Sequence, residues 1–409
     1  MIRLGIDTLS GAPFDIPVPR GVAQHVTLLG LTGSGKTTTA VRLAEGAAAT
    51  GLAVVLVDAK GASLHSAARD LASSAGCPFR EVVPGDEATL GYNPCGAGSR
   101  AQVADKLVSA FTHGDAAQVY RNISAEAISI VTGVLRALGE PVTVRRLRRE
   151  LDRTRMPGLA HAARDRVPEL ARDLADLARR GGVTAEALEG VRARLGALLH
   201  GEYGSLLDAA GPQIDLAAAL AGRGVTYISL PAMATTQDTA LMARVLIQDI
   251  KQAAFERLRD PRPAPALLVL DEFAALDDPG QIEDLLRQAR EARVAAVVST
   301  QQLPDARTAG RLRATLLGAG LLIAHRVGAD DAAAVARTIG TVRGVRVTRS
   351  YARGGEVGSR SVQTVDRFAV EPTTLQRLRT GEAVVLSAAA GAPLPSTVTV
   401  VPPLLGRTA

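Results

Sequence analysis

The sequence is poor in several residue types, and each shortage argues against a class of protein. Its 409 residues include no Trp, and aromatic residues make up only 3%, so the bases of a nucleic acid would find few side chains to stack on. Two cysteines cannot build a disulfide framework, and they fit a reducing compartment. The six histidines are scattered without metal-ligand spacing, so we expect no structural metal.

Long apolar runs are also missing. No run approaches the roughly 20 residues that a membrane-spanning helix needs, and the apolar stretch from Leu316 to Ala324 has the pattern of a core strand. The first residues lack the charged and apolar regions of a signal peptide. We therefore expect a cytoplasmic protein without a membrane span of its own, which only its partners would bring to a membrane.

Lysine is the scarcest basic residue. The chain has 47 basic residues, and all are arginine except Lys36, Lys60, Lys106 and Lys251. The formal net charge of +6 is compatible with a polyanionic partner. Because stacking residues are few, we expect any contact with DNA to be mainly with its phosphate backbone.

Residues 30–37 read GLTGSGKT and match the phosphate-loop pattern G-x-x-x-x-G-K-[ST]. A strand pattern precedes this loop and a helix pattern follows it, so backbone N–H groups would surround a phosphate at a helix N-terminus. We expect Lys36 to contact the β- and γ-phosphates of ATP and the Thr37 hydroxyl to bind Mg²⁺. The predicted nucleotide-binding residues are Gly30, Thr32, Gly33, Ser34, Gly35, Lys36, Thr37 and Thr38.

A second apolar strand pattern, residues 267–270, ends in Asp271 and Glu272. Alone, such an acidic pair is usually solvated or caps a helix. In a chain that also has a phosphate loop, we expect Asp271 to hold Mg²⁺, usually through water, and Glu272 to orient and deprotonate the attacking water.

Polar and basic residues surround the next predicted strand, residues 294–299. Gln301 follows this strand and could contact the γ-phosphate or position the water, or it could simply form a turn. Arg287, Arg290 and Arg293 precede the strand at a spacing that puts them on one side of a helix. One of them could act as an arginine finger across a subunit boundary, and a solvated helix face is the alternative.

Strand and helix patterns alternate through most of the chain, and the strands are continuously apolar. These features predict an α/β fold with a mainly parallel central sheet. Residues 99–213 show helix patterns only, so we predict an inserted all-α domain there. The nucleotide-binding domain would then consist of residues 1–98 and residues 214–409, the second part carrying the acidic strand tip, the strand before Gln301 and a C-terminal β segment.

The motifs resemble, in their order, those of conjugative type IV coupling proteins, the TraG/TraD-like members of the FtsK–HerA superfamily of DNA-pumping ATPases. The matching segments are residues 30–37, Asp58-Ala59-Lys60-Gly61, Tyr92-Asn93-Pro94, the helical insert, Leu270-Asp271-Glu272-Phe273, Ser299-Thr300-Gln301 and residues 372–378. The resemblance implies a RecA-like P-loop NTPase fold, ATP and Mg²⁺ as cofactors, and a homo-hexameric ring that threads DNA through its centre. It also suggests relaxosome and secretion-channel proteins as partners, with the insert meeting the relaxosome or the DNA.

The resemblance also makes Arg290 the preferred finger, because related ATPases have an arginine at about this place. Two features depart from the family: the sequence lacks the membrane helices with which coupling proteins typically begin, and Ala59 stands where proline is common. Two alternatives therefore stay open. One is a soluble HerA-like motor in DNA repair or packaging, and the other is a nucleotide-gated adaptor for relaxase or effector proteins that pumps nothing.

Two arginine-rich segments could contact DNA or could be solvated faces. The first combines Arg145, Arg146, Arg148, Arg149, Arg153 and Arg155 with Glu150 and Asp152. The second, predicted as an exposed hairpin or loop, contains Arg343, Arg346, Arg349, Arg353 and Arg360.

Overall fold

The computed structural model describes residues 1–16, 24–86, 88–111, 118–208, 211–231, 236–272, 279–352, 355–387 and 395–403. These residues form two compact units. The first unit takes residues 1–16 and 24–43 and the described residues from 297 to 403, and the second takes the described residues from 44 to 296. Phe273 and Arg353, which the sequence patterns singled out, lie outside the described residues.

The strands are β1 (Ile2–Asp7), β2 (Pro13–Ile16), β3 (Val26–Leu29), β4 (Ala53–Asp58), β5 (Phe79–Val82), β6 (Gly224–Ser229), β7 (Ala266–Asp271), β8 (Val294–Thr300), β9 (Leu321–Ala324), β10 (Thr341–Ala352), β11 (Gly355–Phe368), β12 (Glu382–Ser387) and β13 (Ser396–Val400). The helices are α1 (Lys36–Ala49), α2 (His65–Ser74), α3 (Arg100–Ser109), α4 (Gln118–Leu138), α5 (Val144–Glu150), α6 (Met156–Ala163), α7 (Pro168–Arg179), α8 (Val183–His200), α9 (Gly204–Leu207), α10 (Leu216–Ala221), α11 (Thr236–Arg257), α12 (Pro279–Glu291), α13 (Gly310–Leu317), α14 (Ala329–Ile339) and α15 (Pro372–Arg377).

In the first unit the strands follow the order β2-β1-β13-β12-β9-β3-β8. The central strand β3 is buried along its whole length and runs parallel to both neighbours, so Leu29 pairs with Thr300 on one side and with Ala324 on the other. The carboxyl ends of three parallel strands therefore meet at one edge of the sheet, where the phosphate loop begins.

In the second unit the strands follow the order β7-β4-β6-β5, and the pairs on both sides of β4 and β6 are parallel. Strands β4, β6 and β7 are buried throughout, as their continuous apolar sequences predict. The register pairs Asp58 with Asp271 and with Ser229. The predicted α/β fold with a mainly parallel sheet is confirmed.

Helices α3 to α9 occupy the region in which only helix patterns occur, and no strand interrupts the described residues between 99 and 208. Helix α3 begins with a capping box, in which the Ser99 side chain accepts from the Gln102 N–H and the Gln102 side chain accepts from the Ser99 N–H. These helices belong to the second unit together with β4 to β7. The division into a nucleotide-binding domain and an all-α insert stays a prediction.

Two element boundaries differ from the sequence-based expectation. The sequence from Pro304 onward has a helix pattern, but the helix begins only at Gly310. The Asp305 carboxylate accepts from the N–H groups of Arg307 (2.7 Å) and Thr308 (3.2 Å) and holds a turn there. The Gly- and Arg-rich residues 344–360 predict an exposed hairpin or loop, and the hairpin of β10 and β11 extends beyond them, from Thr341 to Phe368. Among the helices of the described ranges, none is both long enough and apolar enough to span a membrane.

A buried ion pair between Lys106 and Asp249 anchors the Tyr92-Asn93-Pro94 segment of the second unit. The Lys106 ammonium donates to Asp249 Oδ1 (2.8 Å) and to the Ala97 carbonyl (3.1 Å), and the Tyr92 hydroxyl donates to Asp249 Oδ2 (2.9 Å). Burial raises the pKa of Asp249, although Lys106 and Tyr92 act against this shift. The hydrogen bonds among these three buried groups therefore offset the cost of removing each of them from water.

Lys106→Met should lower the free energy of unfolding by roughly 3–5 kcal/mol, because it leaves the Asp249 carboxylate buried without its counter-ion. Urea denaturation measures this loss. Adding Asp249→Leu should restore much of it, since the pair is then replaced by apolar groups. Arg145→Met is the matched control, because the Arg145–Asp208 pair is exposed and should contribute less than about 1 kcal/mol. A similar small loss for Lys106→Met would contradict the prediction.

Candidate nucleotide-binding site

The phosphate loop connects β3 to α1 in the first unit. Gly33 and Gly35 have φ angles of +73° and +117°, which residues with a side chain rarely adopt. A Cβ at Gly30 would lie 2.6 Å from Ser34 Oγ and 2.8 Å from His325 Cβ, so a side chain there would displace the loop. The loop is thus a tight glycine turn at a helix N-terminus, an arrangement that favours anions.

Lys36 lies within this turn. Its side chain is buried, and its ammonium donates to the carbonyls of Gly30 (2.5 Å) and Leu31 (3.2 Å). Thr37 is half-buried, and Thr38 is exposed. The turn therefore combines a positive charge with the first N–H groups of α1, which suits the phosphates of a nucleotide.

Gln301 lies beside the phosphate loop, where the pairing of β3 with β8 brings it. Thr32 Oγ1 donates to Gln301 Oε1 at 2.9 Å. Ser34 Oγ is buried, and no described residue provides it with a hydrogen-bond partner. An unsatisfied buried hydroxyl is costly, so Ser34 is a polar atom that a ligand could satisfy.

His325, which the sequence patterns did not single out, packs against the phosphate loop. It follows β9 and is fully buried, with Nε2 2.9 Å from Thr39 Oγ1 of α1 and Nδ1 2.8 Å from the Glu382 carbonyl of β12. A carbonyl only accepts, so Nδ1 carries the proton and Nε2 accepts from the Thr39 hydroxyl. Burial, with a smaller contribution from the Lys36 charge, lowers the pKa of His325 to about 4. A neutral imidazole therefore connects α1, β9 and β12.

The stability of the protein should fall between about pH 6.5 and pH 4, partly because of His325. Its pKa is about 4 in the folded protein, against an ordinary value of 6.5, so the unfolded chain binds more protons in this window and folding weakens as pH falls. His325→Asn should remove roughly 2–3 kcal/mol of the change between pH 7 and pH 4.5. Urea titrations at both values test this, with the exposed His161→Asn as control. An unchanged pH dependence in His325→Asn would rule the effect out.

Asp271 and Glu272 lie at the end of β7 in the second unit. Asp271 is buried, and Glu272 has a φ of +57°, a left-handed backbone that is rare for a residue with a side chain and clusters at functional sites. Asp271 Oδ1 and Glu272 Oε2 are buried, and no described residue hydrogen-bonds to them. Buried acceptors of this kind are stabilised by a cation or by water.

Lys60 approaches both carboxylates. Its ammonium lies 3.4 Å from Asp271 Oδ2 and 3.5 Å from Glu272 Oε2. The sequence patterns gave Lys60 no role, although lysine is so rare in this chain that its occurrence between Asp58 and Gly61 was a usable signal.

The three arginines near the end of α12 have different surroundings. Arg287 pairs with Asp284 at 2.5 Å, and Arg293 donates to the Pro263 carbonyl at 3.1 Å. Arg290 is exposed, and its side chain has no hydrogen-bonding or ion-pair partner among the described residues. Arg290 is therefore the arginine of this group with the greatest freedom to reach another molecule.

The arginines of the insert mostly face acidic partners. Five ion pairs involve arginines of the run from Arg145 to Arg155: Arg145–Asp208 (2.6 Å), Arg146–Glu140 (3.3 Å), Arg146–Glu150 (3.5 Å), Arg149–Glu150 (2.9 Å) and Arg155–Glu150 (3.7 Å). Glu150 is buried, so this cluster also holds α5 in place. These contacts favour a structural role for the cluster.

Each unit offers groups that fit one part of a nucleoside triphosphate with Mg²⁺. In the first unit Lys36 and Ser34 offer phosphates a charge and an unsatisfied hydroxyl. In the second unit Asp271 Oδ1 is the kind of oxygen ligand that Mg²⁺ prefers. No group of three or more His, Cys, Asp or Glu residues in the described ranges could hold a metal by itself. A Mg²⁺ ion at Asp271 would thus need phosphate oxygens and water as further ligands.

Two family models match the chain. Residues 3–64, which contain the phosphate loop, match the central domain of the helicase HerA. Residues 217–394, which contain Asp271, Glu272 and Gln301, match the conjugative DNA transfer family of type IV secretory systems. No curated protein matches this chain in sequence.

Solved structures show a similar fold. The unbound monoclinic form of the bacterial conjugative coupling protein TrwBΔN70 has a TM-score of 0.71 and 17% identity, covering 100% of this chain and 91% of that one. TrwB with ADP and Mg²⁺ has a TM-score of 0.66 and 17% identity, covering 99% and 90%. VirB4 of Thermoanaerobacter pseudethanolicus has a TM-score of 0.59 and 16% identity, covering 98% and 96%.

These neighbours confirm the RecA-like P-loop NTPase fold that the motifs implied. The two family matches cover the phosphate loop and the acidic strand tip, which are the parts that carry the resemblance. The chain is therefore similar to the central domain of HerA over residues 3–64 and to the conjugative DNA transfer family of type IV secretory systems over residues 217–394, and it shares the fold of TrwB and VirB4.

Proposed function

We propose that this protein hydrolyses ATP to drive DNA transport in conjugation or type IV secretion. The observation that carries the proposal is the match of residues 217–394 to the conjugative DNA transfer family, because this segment contains the acidic strand tip and Gln301. The phosphate loop adds the nucleotide site.

Each predicted residue has a role in this reaction. The turn from Gly30 to Thr38 wraps the triphosphate of ATP, with Lys36 neutralising the β- and γ-phosphates. Thr37 and Asp271 would hold Mg²⁺, which would supply further charge neutralisation. Glu272 accepts the proton of the attacking water, and Gln301, held by Thr32, orients that water or contacts the γ-phosphate.

The active form is a homo-hexameric ring in which Arg290 of one subunit acts on the nucleotide of the next. Its exposure and its lack of a described partner support this role, since an arginine finger must be free to reach a developing negative charge. Relaxosome and secretion-channel proteins are the further partners that this function requires.

DNA is bound through its phosphates, and the arginines of the insert and of the β10–β11 hairpin are the candidate contacts. Most arginines of the insert run have acidic partners. The hairpin register sets Arg343 opposite Asp366, Arg346 opposite Gln363 and Arg349 opposite Arg360. Phosphate contacts release counter-ions, so log affinity should fall with log salt with a slope of about −0.9 per duplex phosphate neutralised.

ATPase assays with and without single- and double-stranded DNA, run beside a mass measurement, test the proposal. A motor should be stimulated by DNA, whereas a nucleotide-gated adaptor has no reason to couple hydrolysis to DNA. Hydrolysis that DNA leaves unchanged would therefore reject the motor. A neighbouring relaxase gene would support conjugative transfer, and a nuclease gene would favour a HerA-like repair motor.

A further inference from the structure

Lys60 is held in place by a loop that is built around Asp58. The buried Asp58 carboxylate accepts from the N–H groups of Lys60 (2.9 Å) and Gly61 (3.3 Å), from Leu64 N–H (2.9 Å) and from the Tyr227 hydroxyl (3.1 Å). A carboxylate that accepts so many hydrogen bonds fixes the backbone around it. The position of Lys60 is therefore set by the fold, unlike that of an ordinary surface lysine.

Gly61 closes the same loop. Its φ is +93°, and a Cβ there would lie 2.8 Å from Pro231 Cβ, so only glycine fits without a shift. The Ser229 hydroxyl donates to its carbonyl at 2.6 Å. These contacts fix the backbone at Lys60, two residues after Asp58, which pairs with Asp271 at the end of β7.

The Lys60 ammonium occupies a place suited to a cation. It lies 3.4 Å from Asp271 Oδ2 and 3.5 Å from Glu272 Oε2, while Asp271 Oδ1 is buried and has no hydrogen-bond partner in the described part of the chain. The Lys60 side chain is 30% exposed, so its ammonium can withdraw into water. A lysine suits such an exchange, because it is a compact, strongly hydrated charge on a flexible stem.

We propose that Lys60 is a positioning residue, the built-in counter-ion of Asp271 and Glu272, which excludes a divalent cation from Asp271 until nucleotide phosphates accompany it. This inference rests on the proposed role of Asp271 as a Mg²⁺ ligand. A positive charge beside the carboxylates repels a second cation. The phosphates of a nucleotide bring several negative charges and offset that repulsion, so metal and nucleotide bind together.

Mn²⁺ is the probe for the test, since free Mn²⁺ can be measured directly by electron paramagnetic resonance. Without nucleotide, Lys60→Met in the full chain should bind Mn²⁺ at least about tenfold more tightly than the unchanged protein. With a non-hydrolysable ATP analogue the difference should shrink, because the phosphates already offset Lys60. Equal or weaker nucleotide-free Mn²⁺ binding by Lys60→Met would overturn the proposal.

Two substitutions serve as controls. Lys251→Met removes the same charge from a lysine that pairs elsewhere, with Asp284 at 3.6 Å, and should leave Mn²⁺ affinity unchanged. Lys60→Arg keeps the charge and should keep the weak Mn²⁺ binding of the unchanged protein. Tighter Mn²⁺ binding by Lys251→Met would assign the effect to net charge and reject a specific role for Lys60.

Lys60→Met leaves two buried carboxylates without a counter-ion, so the comparison is repeated in the Glu272→Gln background, where one of those charges is gone. There too, Lys60→Met should tighten Mn²⁺ binding about tenfold, and no change would reject the proposal.

Asp271→Asn separates the proposed metal-binding role of Asp271 from the proposed role of Lys60. If it leaves Mn²⁺–nucleotide binding unchanged, the metal role of Asp271 fails. If it weakens that binding while Lys60→Met changes nothing, only the role of Lys60 fails.

Discussion

Glu272→Gln should bind ATP normally and hydrolyse it about 10² to 10⁴ times more slowly than the unchanged protein, the usual contribution of a positioned general base. Glutamine keeps the shape and the hydrogen-bonding reach of the side chain but cannot accept the proton of the attacking water. Glutamine at this position would adopt the same left-handed backbone, with φ of +57°, so the backbone strain is the same in the variant and in the unchanged protein. Single-turnover hydrolysis and equilibrium nucleotide binding measure the two effects separately.

Further consequences follow from trapped ATP. Rings should accumulate and DNA should dissociate more slowly from Glu272→Gln, whereas Lys36→Ala should lose nucleotide affinity and ATP-dependent assembly. Glu291→Gln, an exposed substitution at the end of α12, is the matched control and should hydrolyse ATP at the normal rate. If Glu272→Gln also does so, Glu272 is not the base and the assignment of the acidic strand tip fails.

Arg290→Ala should leave ATP binding nearly intact and lower turnover by about 10³- to 10⁵-fold, the range expected for an arginine finger. The side chain would act on the nucleotide of a neighbouring subunit, so its loss affects the transition state and spares the subunit's own phosphate loop. Steady-state turnover beside nucleotide binding separates these effects. Arg287→Ala is the control, because Arg287 pairs with Asp284 on the same helix and should change turnover little.

Mixing two inactive variants tests whether Arg290 acts between subunits. Lys36→Ala subunits carry an intact Arg290, and Arg290→Ala subunits carry an intact phosphate loop, so a mixed ring contains some complete sites. Activity should return in the mixture. Full turnover by Arg290→Ala alone would remove this residue from the site, and a mixture without activity would argue against action across a subunit boundary.

Local sequence determined the elements that depend on neighbours in the chain. The phosphate loop needs glycines at positive φ and a lysine, and Gly33, Gly35 and Lys36 provide them within residues 30–37. The helix α1 follows directly. The buried parallel strands followed from continuous apolar runs such as β4 and β7. The order of the motifs was enough to indicate the resemblance to coupling proteins.

Local patterns were weaker where a side chain decided between two conformations. The segment after Pro304 has helical composition, yet the Asp305 carboxylate captures two N–H groups and delays α13 until Gly310. A run such as Arg145 to Arg155 likewise reads as a DNA contact or as an ion-paired face, because the same charges serve both. The tertiary partners Asp208, Glu140 and Glu150 favour ion pairing.

Tertiary structure alone decided the contacts between residues far apart in sequence. Lys60 and Asp271 are 211 positions apart, and they meet because β4 pairs with β7 in a register that sets Asp58 opposite Asp271. Thr39 and His325 are 286 positions apart, and the pairing of β3 with β9 brings them together. Strand register depends on the packing of the whole sheet and not on any local run of residues. The sequence by itself therefore determined the phosphate loop and the acidic strand tip. Only the folded sheet placed Lys60 beside the acidic strand tip and His325 beside the phosphate loop.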